Sequence, residues 1–185
     1  MSTEALLVMD VQNGIVELVA EHWGPLGATL AETVAAARRA RRPVVYVRIA
    51  FREGAPEVSP RNLAFSDVAR FTAFGEADAA TQIHPAVAPQ PGDVVVTKRR
   101  VSAFAGSDLD VVLRSLEVES LVLTGISTSG VVLSTLRQAA DLDFRLTVLR
   151  DGCADRDPEV HRVLLDSVFP RQAAVVTAAE WIGRL

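Results

Sequence analysis

The chain has 185 residues, 49% of them hydrophobic, and its 19 Lys and Arg against 23 Asp and Glu give a net charge of −4. This length and composition predict a single domain over residues 1–185 and exclude intrinsic disorder, while the acidic balance disfavours nucleic acid as a partner. One cysteine excludes an intramolecular disulfide. No apolar stretch approaches the about 20 residues of a membrane span, so we expect no membrane partner and a cytoplasmic location.

Short runs rich in Val, Ile and Leu alternate with longer amphipathic stretches, which predicts a parallel sheet covered by helices. In chain order, the predicted strands are residues 5–9, 44–49, 94–97, 121–125, 146–149 and 173–177. The predicted helices cover residues 28–42, 108–116, 132–142 and 158–168. With right-handed crossovers, these elements predict an α/β fold, a three-layer, doubly wound α/β/α sandwich of about six mostly parallel strands.

Residues 50–91 show no sustained periodicity and contain several prolines and glycines. Loops of this length usually have a function or contain short elements of their own. The segment supplies Phe51, Phe65, Phe71 and Phe74, so we interpret it as the wall or lid of a pocket. A surface excursion packed on the sheet edge or on a second subunit is an equally good interpretation.

Two charged residues directly follow apolar strands of the predicted sheet, where ligands of open parallel sheets bind. Asp10 follows the first strand and Lys98 the third. Burying an acid and an amine is costly unless they pair, so we expect an ion pair between them. The pair is either structural, or Asp10 exchanges protons with a pKa set by burial against the Lys98 charge.

The segment 125–130 ends the fourth strand and leads into a helix with small residues and two glycines. Such a turn can present backbone N–H groups to an anion or an oxyanion. More often, small residues and glycines before a helix only allow a tight change of chain direction. Neither the phosphate-binding loop nor the dinucleotide fingerprint is present. We expect Cys153 to be a buried structural thiol, and His22, His84 and His161 to be core or surface residues, because no metal-ligand spacing joins them.

Three separated motifs resemble the isochorismatase-like hydrolases, a superfamily that includes nicotinamidases and N-carbamoyl amidohydrolases. They are residues 5–12, residues 93–98 with 102–104 and 106–110, and residues 123–128 followed by a helix with Thr135. The matches occur in order from Asp10 to about Asp155. The resemblance implies a site with an Asp and a Lys, matched by Asp10 and Lys98, and, in the amidohydrolases, a nucleophilic Cys.

The sequence departs from this pattern at the nucleophile. The resemblance assigns the cysteine to the sixth residue after Gly125, and this residue is Val131. The resemblance also implies a cis peptide at Ile126–Ser127, in an oxyanion-binding turn that includes Gly130. Around these residues we assign four others to the substrate pocket: Gln12, Phe51, Phe104 and Ser129. Metal-binding members of the family have paired histidines after the second strand, and residues 50–54 contain none, so we expect no metal and no cofactor.

A valine cannot form a thioester, which disfavours covalent amide hydrolysis. Isochorismatases also lack the cysteine and hydrolyse a vinyl ether without a covalent intermediate. The resemblance therefore favours a hydrolase of a small, anionic or cyclic metabolite that uses non-covalent acid/base catalysis.

In this mechanism Asp10 is the acid and base, and Lys98 orients it and balances its charge. Arg48, Arg99 and Arg100 are candidates for holding an anion. The alternatives are a catalytically silent binding or scaffold protein, and an amidohydrolase with Ser127, Thr128 or Ser129 as nucleophile. The family's usual assembly implies a homodimer or homotetramer.

Overall fold

The computed structural model describes residues 3–66 and 74–185. Its strands are β1 (Thr3–Met9), β2 (Val44–Ile49), β3 (Val94–Lys98), β4 (Val118–Ile126), β5 (Arg145–Ala154) and β6 (Ala174–Val176). They form a six-stranded sheet in the order β3-β2-β1-β4-β5-β6, and every neighbouring pair is parallel. The predicted doubly wound α/β fold is therefore confirmed. The strands β4 and β5 are longer than the sequence predicts.

The helices are α1 (Asn13–Val16), α2 (Ala20–Arg39), α3 (Leu63–Ser66), α4 (Leu109–Ser115), α5 (Leu133–Asp141), α6 (Pro158–Val163) and α7 (Ala178–Ile182). A π-helical turn, Thr128–Val132, precedes α5, and another, Leu164–Val168, follows α6. Helix α2 begins eight residues before the predicted start at 28 and includes Pro25. A proline so near the start of the helix removes one backbone hydrogen bond and leaves the rest of the helix intact.

Alternate residues of the central strands pack against two different helical layers. Leu6 and Val8 of β1 belong to the hydrophobic cluster that contains residues of α2 and α7. Leu7 and Met9 belong to the cluster on the other face, with residues of α4 and α5. Since both faces are covered, the central strands contain nearly continuous apolar runs, as the sequence predicts. Among the described residues, no helix combines the length and the apolar character of a membrane-spanning segment.

The strand order changes direction between β1 and β4, which are neighbours at the centre of the sheet. Gly125 near the end of β4 has φ 141°, and a Cβ at this position would overlap the carbonyl oxygen of Met9. Only glycine allows β4 to approach β1 this closely. The carboxyl ends of these two strands therefore meet at the topological switch point, where open α/β sheets bind ligands.

We expect Gly125→Ala to destabilise the fold by about 3–5 kcal/mol, since the new Cβ meets strand backbone and also forces a residue with a side chain into positive φ. Gly54→Ala is the matched control, because Gly54 also has positive φ (74°) but has nothing within 4 Å of a Cβ. Strain alone should cost this variant about 1–2 kcal/mol. Urea unfolding of both variants measures the difference, and equal losses would contradict the close-approach explanation.

Candidate active site

The ends of β1 and β3 bring an acid and an amine into direct contact. Lys98 Nζ lies 2.9 Å from Asp10 Oδ2, and the exposed fractions of the two side chains are 1% and 7%. Lys98 Nζ also donates to the carbonyl oxygen of Arg100 at 2.9 Å. Asp10 Oδ1 is buried and has no hydrogen-bond partner among the residues that the structure describes. The expected pair is therefore present, and within the described residues one carboxylate oxygen of the pair is unused.

The backbone and the surroundings of Asp10 both set its properties. Asp10 has φ 56°, in the left-handed region that Asp tolerates better than most residues, and its N–H donates to the carbonyl of Val47 at 2.8 Å. Burial raises the pKa of its carboxyl above the usual 3.8, and the charge and hydrogen bond of Lys98 oppose part of this rise. The carboxyl is thus able to hold a proton at a higher pH than an exposed Asp.

A compact turn follows β4 on the opposite side of the switch point. The Ile126–Ser127 peptide is cis, as the resemblance implies. Ser127 Oγ accepts a hydrogen bond from the N–H of Gly130 at 3.1 Å, and Asp155 Oδ2 accepts one from the N–H of Ser129 at 2.7 Å. We call residues 127–131 the β4 turn. Val131, at its end, is only 2% exposed.

A cavity of about 390 Å³ lies between the ion pair, the β4 turn and the segment that follows β2. Its apolar lining comes from Ile15, Leu18, Ile49, Phe51, Ala64, Phe65, Phe74, Val101, Ile126 and Val131. Its polar lining comes from Asp10, Lys98, Ser127, Ser129, Asp155 and Arg156, with Gly130 completing the turn. The cavity is mostly apolar with a few convergent polar groups, which is typical of small-molecule sites.

Two of the four residues assigned to the pocket do not line this cavity. Phe51 and Ser129 do. Gln12 is fully buried beside it, where its amide donates to the carbonyls of Ile49 and Thr81 and accepts from the Ile49 N–H. Phe104 is 8% exposed and packs on Phe144 within the core. Backbone groups distant in sequence engage the side chain of Gln12, and an aromatic neighbour distant in sequence packs on Phe104.

The segment between β2 and β3 forms one wall of the cavity. Phe51, Phe65 and Phe74 line the cavity, and the rings of Phe51 and Phe65 make an edge-to-face contact with centroids 5.8 Å apart. This arrangement supports the wall interpretation of the segment. Phe71, which the sequence also suggests for this wall, lies outside the described residues.

The three arginines suggested as anion ligands do not line the cavity. Arg48 donates to Thr97 Oγ1, Gln82 Oε1 and the carbonyl of Glu76. Arg99 pairs with Glu57 and Glu76 and bonds the carbonyl of Ala50, and Arg100 bonds the carbonyls of Arg99 and Glu57. Their donors therefore stabilise the segment that follows β2 and its contact with β3.

A different arginine lies at the cavity. Arg156 lines it and is exposed, and no hydrogen bond or ion pair to another described residue engages its guanidinium. The sequence-based site does not include Arg156. The available signal was its position two residues after the end of β5, at the edge of the sheet where Asp10 and Lys98 also lie.

Cys153 lies outside the cavity. It is 5% exposed, it has a weak contact between Sγ and the carbonyl of Leu123 at 3.9 Å, and burial raises the pKa of its thiol to about 12. Such a thiol is protonated at neutral pH and is a poor nucleophile. In the described ranges, no three His, Cys, Asp or Glu side chains are close enough together to hold a metal ion.

The profile of the Isochorismatase domain matches residues 4–180. The chain belongs to the isochorismatase family. YwoC of Bacillus subtilis, an isochorismatase family protein, is 31% identical over 182 residues, which cover 98% of this chain and 93% of the relative. The ureidoacrylate amidohydrolase RutB of Pseudomonas syringae pv. syringae is 33% identical over 200 residues, covering 97% of this chain and 78% of RutB.

Structural comparison agrees with the assignment to the isochorismatase family. A solved isochorismatase family protein from Burkholderia thailandensis superposes with a TM-score of 0.83 at 33% identity, covering 96% of this chain and 93% of that protein. The protein is therefore an isochorismatase-family hydrolase, as the motifs around Asp10, Lys98 and Gly125 indicate.

We expect Lys98→Met to destabilise this hydrolase by about 3–5 kcal/mol at neutral pH, because it leaves a buried carboxylate without its partner. Loss of the Lys98 charge raises the pKa of Asp10 further above 3.8. The Asp10 carboxyl then binds a proton more tightly in the folded state than in the unfolded chain. The penalty is therefore complete above the raised pKa and shrinks as the pH falls through it.

Urea unfolding at a series of pH values tests this prediction. Arg162→Met is the matched control, since Arg162 pairs with Glu159 at 2.7 Å on the exposed surface, where salt bridges contribute little. A Lys98→Met penalty that stayed constant as the pH was lowered would mean that Asp10 is not the group responsible.

Proposed function

We propose that this isochorismatase-family hydrolase cleaves a small anionic metabolite by non-covalent acid/base catalysis, with Asp10 as the acid and base. The observation that carries the proposal is the asymmetry of the carboxylate. Lys98 holds Oδ2 at 2.9 Å, whereas Oδ1 is buried, has no hydrogen-bond partner among the described residues and belongs to a residue that lines the cavity. A buried polar atom without a partner costs free energy, and a substrate atom that shares a proton with it would remove this cost.

The proposed reaction consumes one water and returns Asp10 to its starting form. On a vinyl ether, protonated Asp10 transfers its proton to the vinyl carbon, which leaves a positive charge on the carbon that bears the ether oxygen. Water attacks this carbon and loses its extra proton to the Asp10 carboxylate. The bond between this carbon and the ether oxygen then breaks, the leaving oxygen takes the proton of the new hydroxyl group, and a carbonyl product remains. Lys98 stabilises that carboxylate while it is charged, and the raised pKa of Asp10 favours its return to the acid form.

The cavity favours a small substrate with an apolar body and an anionic group. A volume of about 390 Å³ lies near the lower end of ordinary ligand sites. The phenylalanine wall suits a ring or an unsaturated chain, and Arg156 supplies a cation that no described residue neutralises. A guanidinium forms paired hydrogen bonds with a carboxylate, so we assign the anionic group to Arg156.

The residue at position 131 favours this mechanism over covalent amide hydrolysis. RutB is named as an amidohydrolase of ureidoacrylate, and the sequence resemblance assigns the nucleophilic cysteine of such enzymes to position 131. Val131 lines the cavity but has no nucleophilic atom. Water is then the nucleophile that remains, and proton transfer from Asp10 is the means of activating the substrate.

The serine or threonine nucleophile is less well supported. Thr128 Oγ1 lies 2.8 Å from His161 Nδ1, so a base for this hydroxyl exists. However, Thr128 is completely buried and does not line the cavity. Ser127 and Ser129 do line the cavity, but His161 forms its hydrogen bond with Thr128 and not with either serine.

A binding or scaffold protein without turnover remains the second candidate, because the cavity and the ion pair would serve it equally well. A homodimer or homotetramer and a cytoplasmic location stay predictions.

We expect Asp10→Asn to lower kcat by at least about 100-fold on whichever substrate a screen of vinyl ethers, lactams, ureides and amides yields, because the acid is lost. Asp141→Asn is the matched control, since Asp141 is exposed and does not line the cavity. Turnover that survives Asp10→Asn would reject the acid role. Thermal stabilisation by these compounds without product formation would instead favour the binding protein.

We expect Arg156→Gln to raise KM for a carboxylate substrate by about tenfold or more, the usual effect of losing a hydrogen bond to a charged group, with little change in kcat. Arg156→Lys should lie between the wild type and this variant, because it keeps the charge but not the paired geometry. The uncharged amide of the same substrate is the internal control. An equal rise in KM for the amide would contradict recognition of the anion.

A further inference from the structure

The β4 turn is held in place from outside by two residues of one neighbouring segment. Asp155 accepts a hydrogen bond from the Ser129 N–H at 2.7 Å, and His161 Nδ1 lies 2.8 Å from Thr128 Oγ1. Apart from these two bonds, the side-chain hydrogen bonds described for this turn are internal, such as that of Ser127 with Gly130. The position of the turn therefore depends on the end of β5 and on α6.

His161 is not a side chain that fills the core. It lines a second cavity of about 300 Å³ between the start of α2, the end of β5 and α6, and Asp155 lines both cavities. Burial lowers the pKa of His161, although the Asp155 carboxylate opposes this effect. The imidazole is thus neutral near neutral pH. The Nδ1 atom of a neutral imidazole can accept a hydrogen bond from the Thr128 hydroxyl.

We propose that His161 is a positioning residue of the candidate active site: through its hydrogen bond to Thr128 it fixes the β4 turn opposite Asp10. Thr128 is completely buried, while the residues on either side of it line the main cavity. A movement of Thr128 therefore changes the positions of Ser127, Ser129 and Val131 together. The expected effect of His161 on catalysis rests on the proposed function, whereas its effect on the position of the β4 turn does not.

The first experiment measures the turn without any substrate. In a Val131→Cys background, iodoacetamide alkylation of the thiol at position 131 is followed by peptide mass spectrometry, which separates it from Cys153. We expect His161→Leu to speed this reaction about fivefold, the effect of losing one hydrogen bond that keeps the position buried. His161→Asn should restore a slow rate, because its amide can occupy the place of Nδ1.

His22→Leu is the matched control, since His22 lines the same second cavity and has no hydrogen bond to the turn. Thr128→Val and Thr128→Ser repeat the test from the other side of the bond, should His161→Leu fail to fold. Thr128→Val should behave like His161→Leu, and Thr128→Ser like the parent. Equal alkylation rates in the parent, His161→Leu and Thr128→Val would overturn the proposal.

The second experiment measures kinetics in the chain that retains Val131. We expect His161→Leu to lower kcat with little change in KM, and His161→Asn to recover most of the loss. If alkylation responds as expected but no variant, including the wild type, turns over any compound of the screen, the positioning role stands and the proposed reaction fails. If kcat falls equally in His161→Asn and His161→Leu, the hydrogen bond is not what positions the turn.

Discussion

The buried ion pair between Asp10 and Lys98 is the interaction on which the rest of the site depends. Both charges are removed from water, so the pair persists only if its geometry compensates for the lost hydration. The contact of 2.9 Å and the second hydrogen bond of Lys98 to the Arg100 carbonyl provide this compensation. The two residues come from strands that are not adjacent, since β2 lies between β1 and β3. The parallel register of these three strands brings their carboxyl ends together at one edge of the sheet.

The polar and the apolar side of the cavity are built from different elements. Its polar side is formed by strand ends and by the β4 turn, which Asp155 and His161 connect to the segment after β5. Its apolar side is formed by short elements of the segment between β2 and β3, where Phe51, Phe65 and Phe74 supply most of the aromatic surface. The groups proposed to react therefore lie on strand ends and on the β4 turn, whereas the apolar wall comes from a separate segment of the chain.

The sequence predicted the parts of the site that depend on local order along the chain. Asp10 and Lys98 follow apolar strands directly, and parallel strands end at one edge, so their proximity follows from the strand pattern alone. Gly125 was recognised as the end of β4, and the structure adds the reason, which is the contact with the Met9 carbonyl. The sequence does not show which side chains have competing partners elsewhere in the fold. Gln12 is adjacent to the site in sequence, but three backbone hydrogen bonds hold its amide away from the cavity.

The sequence by itself determined the order of strands and helices, the family, and the acid and amine of the candidate site, because hydrophobic periodicity and motif spacing are properties of the chain. Only the tertiary structure decided which arginine lines the cavity and which side chains form hydrogen bonds to the β4 turn. Arg99 and Arg156 look equally available in the sequence, yet Arg99 is engaged by Glu57 and Glu76, whereas Arg156 lies at the cavity. Charges and hydrogen bonds are shared among residues that are distant along the chain, and their distribution exists only once the chain has folded.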